Sequence, residues 1–421
     1  MPRPRTTPPR TVDEHTGRVT ALVAPLPVVA LPLDDAAGAV LAAPLVARAD
    51  VPPFANAAMD GYAVRADDVR AAAPGAPVTL RVVADVAAGV APTGVVGPGE
   101  AARIMTGAPV PDGADAVVPV EDTSTGTFAH GPLDPAHVEI RVLHPVRPGR
   151  SHVRDRAEDV AAGSTLAAPG TVVTARLVAL AASVGLTSLP VHRTPHVTVV
   201  STGSELAAVP GPGQIPDSNS YLLAASARAA GAVVDRRGAV PDTADALAAA
   251  LDAAASTADL VVTSGGVSAG ALDVVRHLLT THPAASDADV AAVGMQPGKP
   301  QVLARWRGVP VIAVPGNPVA AFVSSELFVR PAIDRLRGLP AAARATVTRA
   351  AGDSWTSPPG RLQVVPVVHD DAERVTPVRA TSGGSGSHRA SVLARADALA
   401  LVPEDVTQVR PGDRVEVVLL D

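Results

Sequence analysis

The sequence contains no cysteine. That excludes a disulfide frame, a thiolate metal site and a cysteine nucleophile, and it agrees with a cytoplasmic setting. Aromatic residues make up 2% of the chain, although hydrophobic residues reach 47%. The cores must therefore be built from Ala, Val and Leu. Lysine is nearly absent: of 35 Lys and Arg residues, Lys299 alone is lysine. No run of about 18 uninterrupted apolar residues is present, so no membrane-spanning helix is expected. The start, MPRPRTTPPRTVDEHTG, has no apolar core and does not read as a signal peptide. The net charge of −6 argues against general nucleic-acid binding, while leaving room for a local positive pocket.

What is present divides the chain. Its 421 residues suit roughly three domains of ordinary size. Residues 1–12 are rich in Pro and Arg and are expected to be a disordered tail. Residues 13–50 predict a helix, a strand and a second helix, and 151–192 a further helix and strand; together they form a linking region. Between them, residues 51–150 alternate β-rich runs (VTLRVVADV, DAVVPVED, HVEIRVL) with Gly/Pro turns, which predicts an inserted β domain. Residues 193–338 alternate strands such as HVTVVST and ADLVVTSGG with helices such as ADALAAALDAAAS. Their apolar strands predict a parallel sheet covered on both faces, with ligands at the carboxyl ends of the strands. Residues 339–421 return to short strands and predict a C-terminal β-barrel. The fold class is multidomain α/β.

Three loops leave the predicted α/β strands. They are STGSEL, with Glu205; TSGGVSAGALD, with Ser264, Gly265, Gly266, Ser268 and Asp273; and VPGNPV, with Pro315, Gly316, Asn317 and Pro318. Each is expected to lead into a helix start, where small residues let backbone N–H groups approach an anion. Ordinary capping by Ser204 or Asn317, with Pro318 at the first helical position, explains any one loop equally well. Three on one sheet edge, with Lys299 in a fourth loop, favour a phosphate-rich ligand. Pro297, Gly298 and Pro300 would hold Lys299 on a stiff backbone, presenting a compact ammonium that a planar guanidinium does not replace.

Glu205 and Asp273 follow Gly-rich turns. Beside bound phosphates, two carboxylates suit Mg2+, although a first-turn acid or a cap needs no metal. No His/Cys spacing offers a zinc site, and His388 is the one histidine considered near chemistry. Asp60 sits in an Asp-Gly turn within VPPFANAAMDGYAVRADD, which also holds Phe54 and Tyr62. Thr106 precedes a Pro-rich loop. Residues alone thus indicate a multidomain α/β enzyme acting on a phosphorylated anion.

The motifs PPFANAAMDGYAV, RIMTGAPVPDGADAVVPVE, VRDRAEDVAAG, STGSEL, PDSN, TSGGVSAGALD, PGKP, VPGNP and GSGSH follow one another in this order. Over about residues 12–421 the chain resembles the molybdopterin molybdenumtransferase family, the bacterial MoeA type also found as the E domain of gephyrin. The resemblance implies four structural domains and a homodimer with a shared active site. It implies transfer of molybdate to adenylylated molybdopterin, release of AMP and a need for Mg2+. It implies transient contact with the upstream molybdopterin adenylyltransferase, which the α/β segment is similar to. The family's functional positions fall on Asp60, Thr106, Asp159, Glu205, Asp273, Lys299 and Ser387. Asp60 and Thr106 would serve the partner chain's site. Glu205 and Asp273 would hold the cation and phosphates, and Lys299 molybdate or a phosphate. Asp217 and Asn219 of PDSN would hydrogen-bond the nucleotide or pterin, with Arg361 in the same substrate pocket. Four positions depart from the family pattern. Gln296 stands where many members have lysine, Ala320 for serine, Pro366 for arginine and Ala157 for glycine. The missing charges at Gln296 and Pro366 would leave Lys299 to carry the oxyanion pocket nearly alone. The other readings are a tungstate-using paralogue and a gephyrin-like scaffold.

Overall fold

The structure is a computed structural model that describes residues 9–128, 138–207, 209–267, 273–340, 344–370, 373–379 and 390–420. Helix α1 spans Val12–Leu22 and starts with a capping box, in which Thr11 and Glu14 satisfy each other's backbone N–H. Further on, runs of Val, Leu and Ala between Gly turns build a six-stranded sheet. Its strands are β1 (His196–Thr202), β2 (Val233–Val240), β3 (Leu260–Ser264), β4 (Ala285–Ala292), β5 (Pro300–Trp306) and β6 (Val309–Val314). Its helices are α2 (Asn219–Ala229), α3 (Ala244–Ala255), α4 (Val274–Thr281), α5 (Pro318–Ser324) and α6 (Arg330–Leu336), with a π turn joining the last two.

The strand order is β2-β1-β3-β6-β5-β4. The first four run parallel, but β6–β5 and β5–β4 are antiparallel, so the sheet is mixed rather than parallel. The cause is a tight hairpin. Arg307 and Gly308 take φ of 48° and 85° between the paired residues Trp306 and Val309, the geometry of a two-residue turn. Helices cover both faces as expected. Leu247, Leu251, Val275 and Leu278 pack beneath β1, β3 and β6 on one side, and Leu223, Phe328 and Ile333 on the other.

The linking region differs from its expectation. Val19 of α1 and Val23, just past its end, enter the core of the α/β sheet, so this helix packs with the α/β body. The second helix expected before residue 50 does not form. Only a 3-10 turn, Leu33–Asp35, is made before Gly38 takes a φ of 84° and the chain reaches strand Leu45–Val46. Val28–Pro32 pairs with Ser188–His192, and Leu45–Val46 with Thr165–Ala167, around helix Ala175–Ser183.

Within residues 51–150 lies a five-stranded sheet ordered Ala116–Pro119, Gly61–Val64, Glu100–Ile104, Val78–Val86 and Glu139–Val142. The C-terminal sheet takes one strand from outside its own segment. Met295–Gln296 pairs in parallel with Leu362–Gln363, and the opposite end of the sheet is Val347–Ala350. Its Val364, Leu399 and Val418 share the apolar core of the α/β body.

Buried His15 joins α1 to this body. Phe328 packs edge-on to its ring at 4.6 Å, and Nδ1 lies 3.2 Å from Nη1 of Arg10, which itself forms a paired ion bridge to Asp289. Burial, and then the Arg10 charge, pull the His15 pKa down to about 4. The unfolded chain therefore takes up a proton near pH 6.5 that the folded chain refuses until about 4. Stability should fall as pH drops across that window, by up to about 3 kcal/mol from this group. Thermal unfolding between pH 7 and 4.5 should show the decline, and His15→Leu should flatten it. An equal slope in both proteins would assign the decline to other groups.

Candidate active site

The carboxyl ends of β1, β3 and β6 lie side by side and open into a cavity of about 1210 Å³. Glycine is required where its loops meet. Gly265 and Gly266 have φ of 101° and 61°, and a Cβ on Gly265 would stand 2.4 Å from the Thr202 carbonyl oxygen. A Cβ on Gly316 would lie 3.5 Å from the Gly265 Cα, so the second and third loops touch backbone to backbone. Asn219 ties them together. Its Nδ2 donates to Ser264 Oγ at 2.9 Å and to the Gly316 carbonyl at 2.6 Å. Its Oδ1 is buried without a partner among the described residues, an acceptor left over at the cavity wall.

The first loop departs from expectation. After STGSEL the chain forms a two-stranded ribbon, Leu206–Ala207 with Ile215–Pro216, before reaching α2. Glu205 is therefore not a first-turn acid. Its carboxylate folds back over Gly203, where a Cβ would come within 2.7 Å of it. Asn317 and Pro318 do take the cap and first positions of α5, and Asp273 the cap position of α4. Neither side chain makes a capping hydrogen bond. Asp217 accepts from the Ser220 N–H at 3.1 Å and from the Ser220 hydroxyl, so it also secures the start of α2.

Lys299 and Arg361 bring positive charge to the cavity. Lys299 is exposed, and its ammonium has no carboxylate partner among the described residues. A phosphate or oxyanion at 4 Å would then gain about 1–4 kcal/mol, the range for a charge near the protein surface. Arg361 donates from Nη1 to Gln296 Oε1 at 3.3 Å. Gln296, Ala320 and Pro366 all line this cavity, together with Pro297, Gly298 and Pro315.

One acidic wall residue went unread in the sequence. Asp242, after β2 and before α3, lines the cavity and accepts from Thr202 Oγ1 at 3.1 Å. Its place after a strand and before a helix was the available signal. Glu205 and Asp273 line the same cavity. Among the described residues no group of three or more His, Asp or Glu is placed to hold a metal ion. Two carboxylates beside a phosphate-bearing ligand still fit Mg2+, which takes few protein ligands and fills its shell with phosphate oxygens and water.

Three predicted residues lie elsewhere. Asp60 and Thr106 meet on the five-stranded sheet, where Asp60 Oδ1 accepts from the Thr106 N–H at 2.8 Å and its hydroxyl at 2.7 Å. The N–H, then the hydroxyl, hold the Asp60 carboxyl below the usual carboxylate range. Asp159 is exposed on the loop that follows Ala157, whose φ of 62° is a left-handed conformation better suited to glycine. None of the three lines the cavity. Ser268, Ser387 and His388 lie outside the described residues.

Comparison with known proteins gives three family models that follow one another along the chain. Residues 10–185 match the MoeA N-terminal region (domain I and II), 198–335 the probable molybdopterin binding domain, and 348–420 the MoeA C-terminal region (domain IV). Molybdopterin molybdenumtransferase 2 of Mycobacterium tuberculosis is 41% identical over 97% of this chain and 99% of its own. Molybdopterin molybdenumtransferase 1 of the same organism is 33% identical over 98% and 99%. A solved molybdopterin biosynthesis MoeA protein from Pyrococcus horikosii superposes with a TM-score of 0.81 at 29% identity, covering 97% of this chain and 98% of that one.

Proposed function

The chain belongs to the molybdopterin molybdenumtransferase (MoeA) family, and from that premise we propose that it inserts molybdate into adenylylated molybdopterin with release of AMP. One observation carries the reading. Three glycine-bearing loops, a lysine and an arginine converge on one cavity at the carboxyl ends of parallel strands. The cavity, at about 1210 Å³, exceeds the usual small-molecule range of about 300–1,000 Å³, which suits a pterin joined to a nucleotide. In the overall reaction water cleaves the phosphoanhydride to leave AMP, and the two dithiolene thiols bind molybdenum as an oxygen of molybdate leaves with their protons as water.

The residues divide the work by chemistry. Backbone N–H groups around Gly265, Gly266 and Gly316 receive phosphate oxygens. The Asn219 acceptor and Asp217 face the pterin or nucleotide, and Lys299 with Arg361 receives molybdate or a phosphate. Glu205 and Asp273 would hold Mg2+, which supplies charge neutralisation at the phosphoanhydride. Asp60 and Thr106 would act on a partner's cavity in a homodimer; their distance from the cavity of their own chain supports that reading. Asp159, also outside the cavity, belongs to the same reading. We read the five-stranded sheet as the inserted β domain and the C-terminal sheet as the family's barrel; a separate family model over residues 348–420 supports the second division. A cytoplasmic location and hand-over from the adenylyltransferase complete the proposal. No helix among the described residues is long and apolar enough to cross a membrane. Relatives named for molybdenum transfer disfavour the tungstate and scaffold readings.

The test is AMP release from adenylylated molybdopterin by the purified protein, with magnesium, with and without molybdate. Release that requires molybdate, accompanied by active cofactor, is expected. Release indifferent to molybdate, or none, would overturn the reading.

A further inference from the structure

The loop that carries Lys299 is pinned from several sides. Val293 N–H donates to the Lys299 carbonyl at 2.7 Å, closing the loop on itself. The N-terminal segment holds one flank, since Gly294 N–H donates to the Arg10 carbonyl at 2.7 Å. The C-terminal sheet holds the other, through pairing of Gln296 with Gln363. Beneath the turn lies Gln301, a fully buried side chain. Its Nε2 donates to the Gly298 carbonyl at 2.8 Å and to Ser324 Oγ of α5 at 2.8 Å.

The orientation of this amide follows from its partner. The Gly298 carbonyl can only accept, so the nitrogen must face it. Gln301 Oε1 is then buried with no partner among the described residues. A buried, unpaired acceptor is unfavourable, and its retention calls for a reason. Gly298 supplies one. It holds a φ of 111°, and a Cβ there would come within 2.9 Å of Met295 and 3.3 Å of Ser324 Oγ. The backbone just before Lys299 thus lies in a conformation that glycine alone adopts readily, and a freed glycine would wander most. The Gln301 amide is the bond from the sheet interior that fixes it.

We propose that Gln301 is a positioning residue for Lys299, bridging the Gly298 carbonyl to Ser324 so that the ammonium is held at one point of the cavity wall. This rests on the proposed role of Lys299 toward molybdate. A loosened loop would leave the charge present but misplaced. Its effect should therefore fall on the molybdate requirement and should vanish once Lys299 is gone.

The experiment is a double-mutant cycle in the full-length protein, read as AMP release against molybdate concentration. Gln301→Leu is expected to raise the molybdate KM about tenfold, with kcat changed by less than about twofold. Ser324→Ala, a milder change that leaves Gln301 its Gly298 bond, is expected to raise it about threefold. In the Lys299→Ala background neither should add more than about twofold, because coupled residues are non-additive. Losses that multiply across the cycle would give Gln301 a merely structural role and overturn the proposal. So would a wild-type KM in Gln301→Leu when Lys299→Ala is impaired. Should Gln301→Leu fail to fold, Ser324→Ala with and without Lys299 decides by the same criterion. A wild-type KM in Lys299→Ala would instead remove the Lys299 reading itself, and this inference with it.

Discussion

Lys299→Ala should lower kcat/KM for molybdate by about 30- to 100-fold, a loss of about 2–3 kcal/mol. The size follows from what remains. Among the described residues Arg361 is the other cation of the cavity wall, and its guanidinium leans on the Gln296 amide. Gln296 and Pro366 carry no charge, so among the described residues the cavity wall has no further basic side chain to move into the gap. The figure sits at the low end for truncating a charge partner because Lys299 is exposed. Lys299→Arg should recover little. The stem of Lys299 leaves a turn fixed by Gly298, Pro297 and Pro300, and a planar fork is longer and directs its donors differently. Initial rates of AMP release across molybdate concentrations would check both variants. Full activity in Lys299→Arg would end the point-charge argument, leaving a general requirement for positive charge.

Much of this cavity was legible because it is built from backbone. Gly265 and Gly266 stand where an added Cβ would strike neighbouring atoms, and such positions announce themselves as glycine in a linear sequence. The lone lysine was visible by its rarity. What could not be read is whatever depends on a remote partner. The antiparallel pair β5–β6 hangs on an Arg307-Gly308 turn, a weaker hairpin signal than Asn-Gly. The residues of α1 look like any amphipathic helix until Val19, and Val23 just past its end, find a core made by residues from Val197 onward. The sequence marks Asn219 only as a ligand for substrate; the Ser264 hydroxyl and Gly316 carbonyl that occupy its amide nitrogen come from two other loops. Gln301 follows the lysine by two residues and passed unnoticed, because nothing local says that a glutamine will be buried. Asp60 and Thr106 gave the opposite lesson. Their pairing is plain in the fold and lies away from the cavity of their own chain, and the motifs alone gave no sign that the two residues bond to each other.

Asp273→Ala should abolish turnover or raise the magnesium needed for half-maximal rate by about tenfold or more, the range in which lost metal ligands act. Asp273 holds the cap position of α4, yet its side chain makes no capping hydrogen bond there, so the start of the helix does not rest on that bond. Glu205 would be left as a single carboxylate, and a magnesium ion shared between one carboxylate and a phosphoanhydride would be held mainly by the substrate. The magnesium dependence should then track substrate concentration in the variant more steeply than in the wild type. Titrating magnesium at two fixed concentrations of adenylylated molybdopterin reads this directly. An unchanged titration would return Asp273 to the end of its helix and leave Glu205 as the remaining candidate ligand from the sequence.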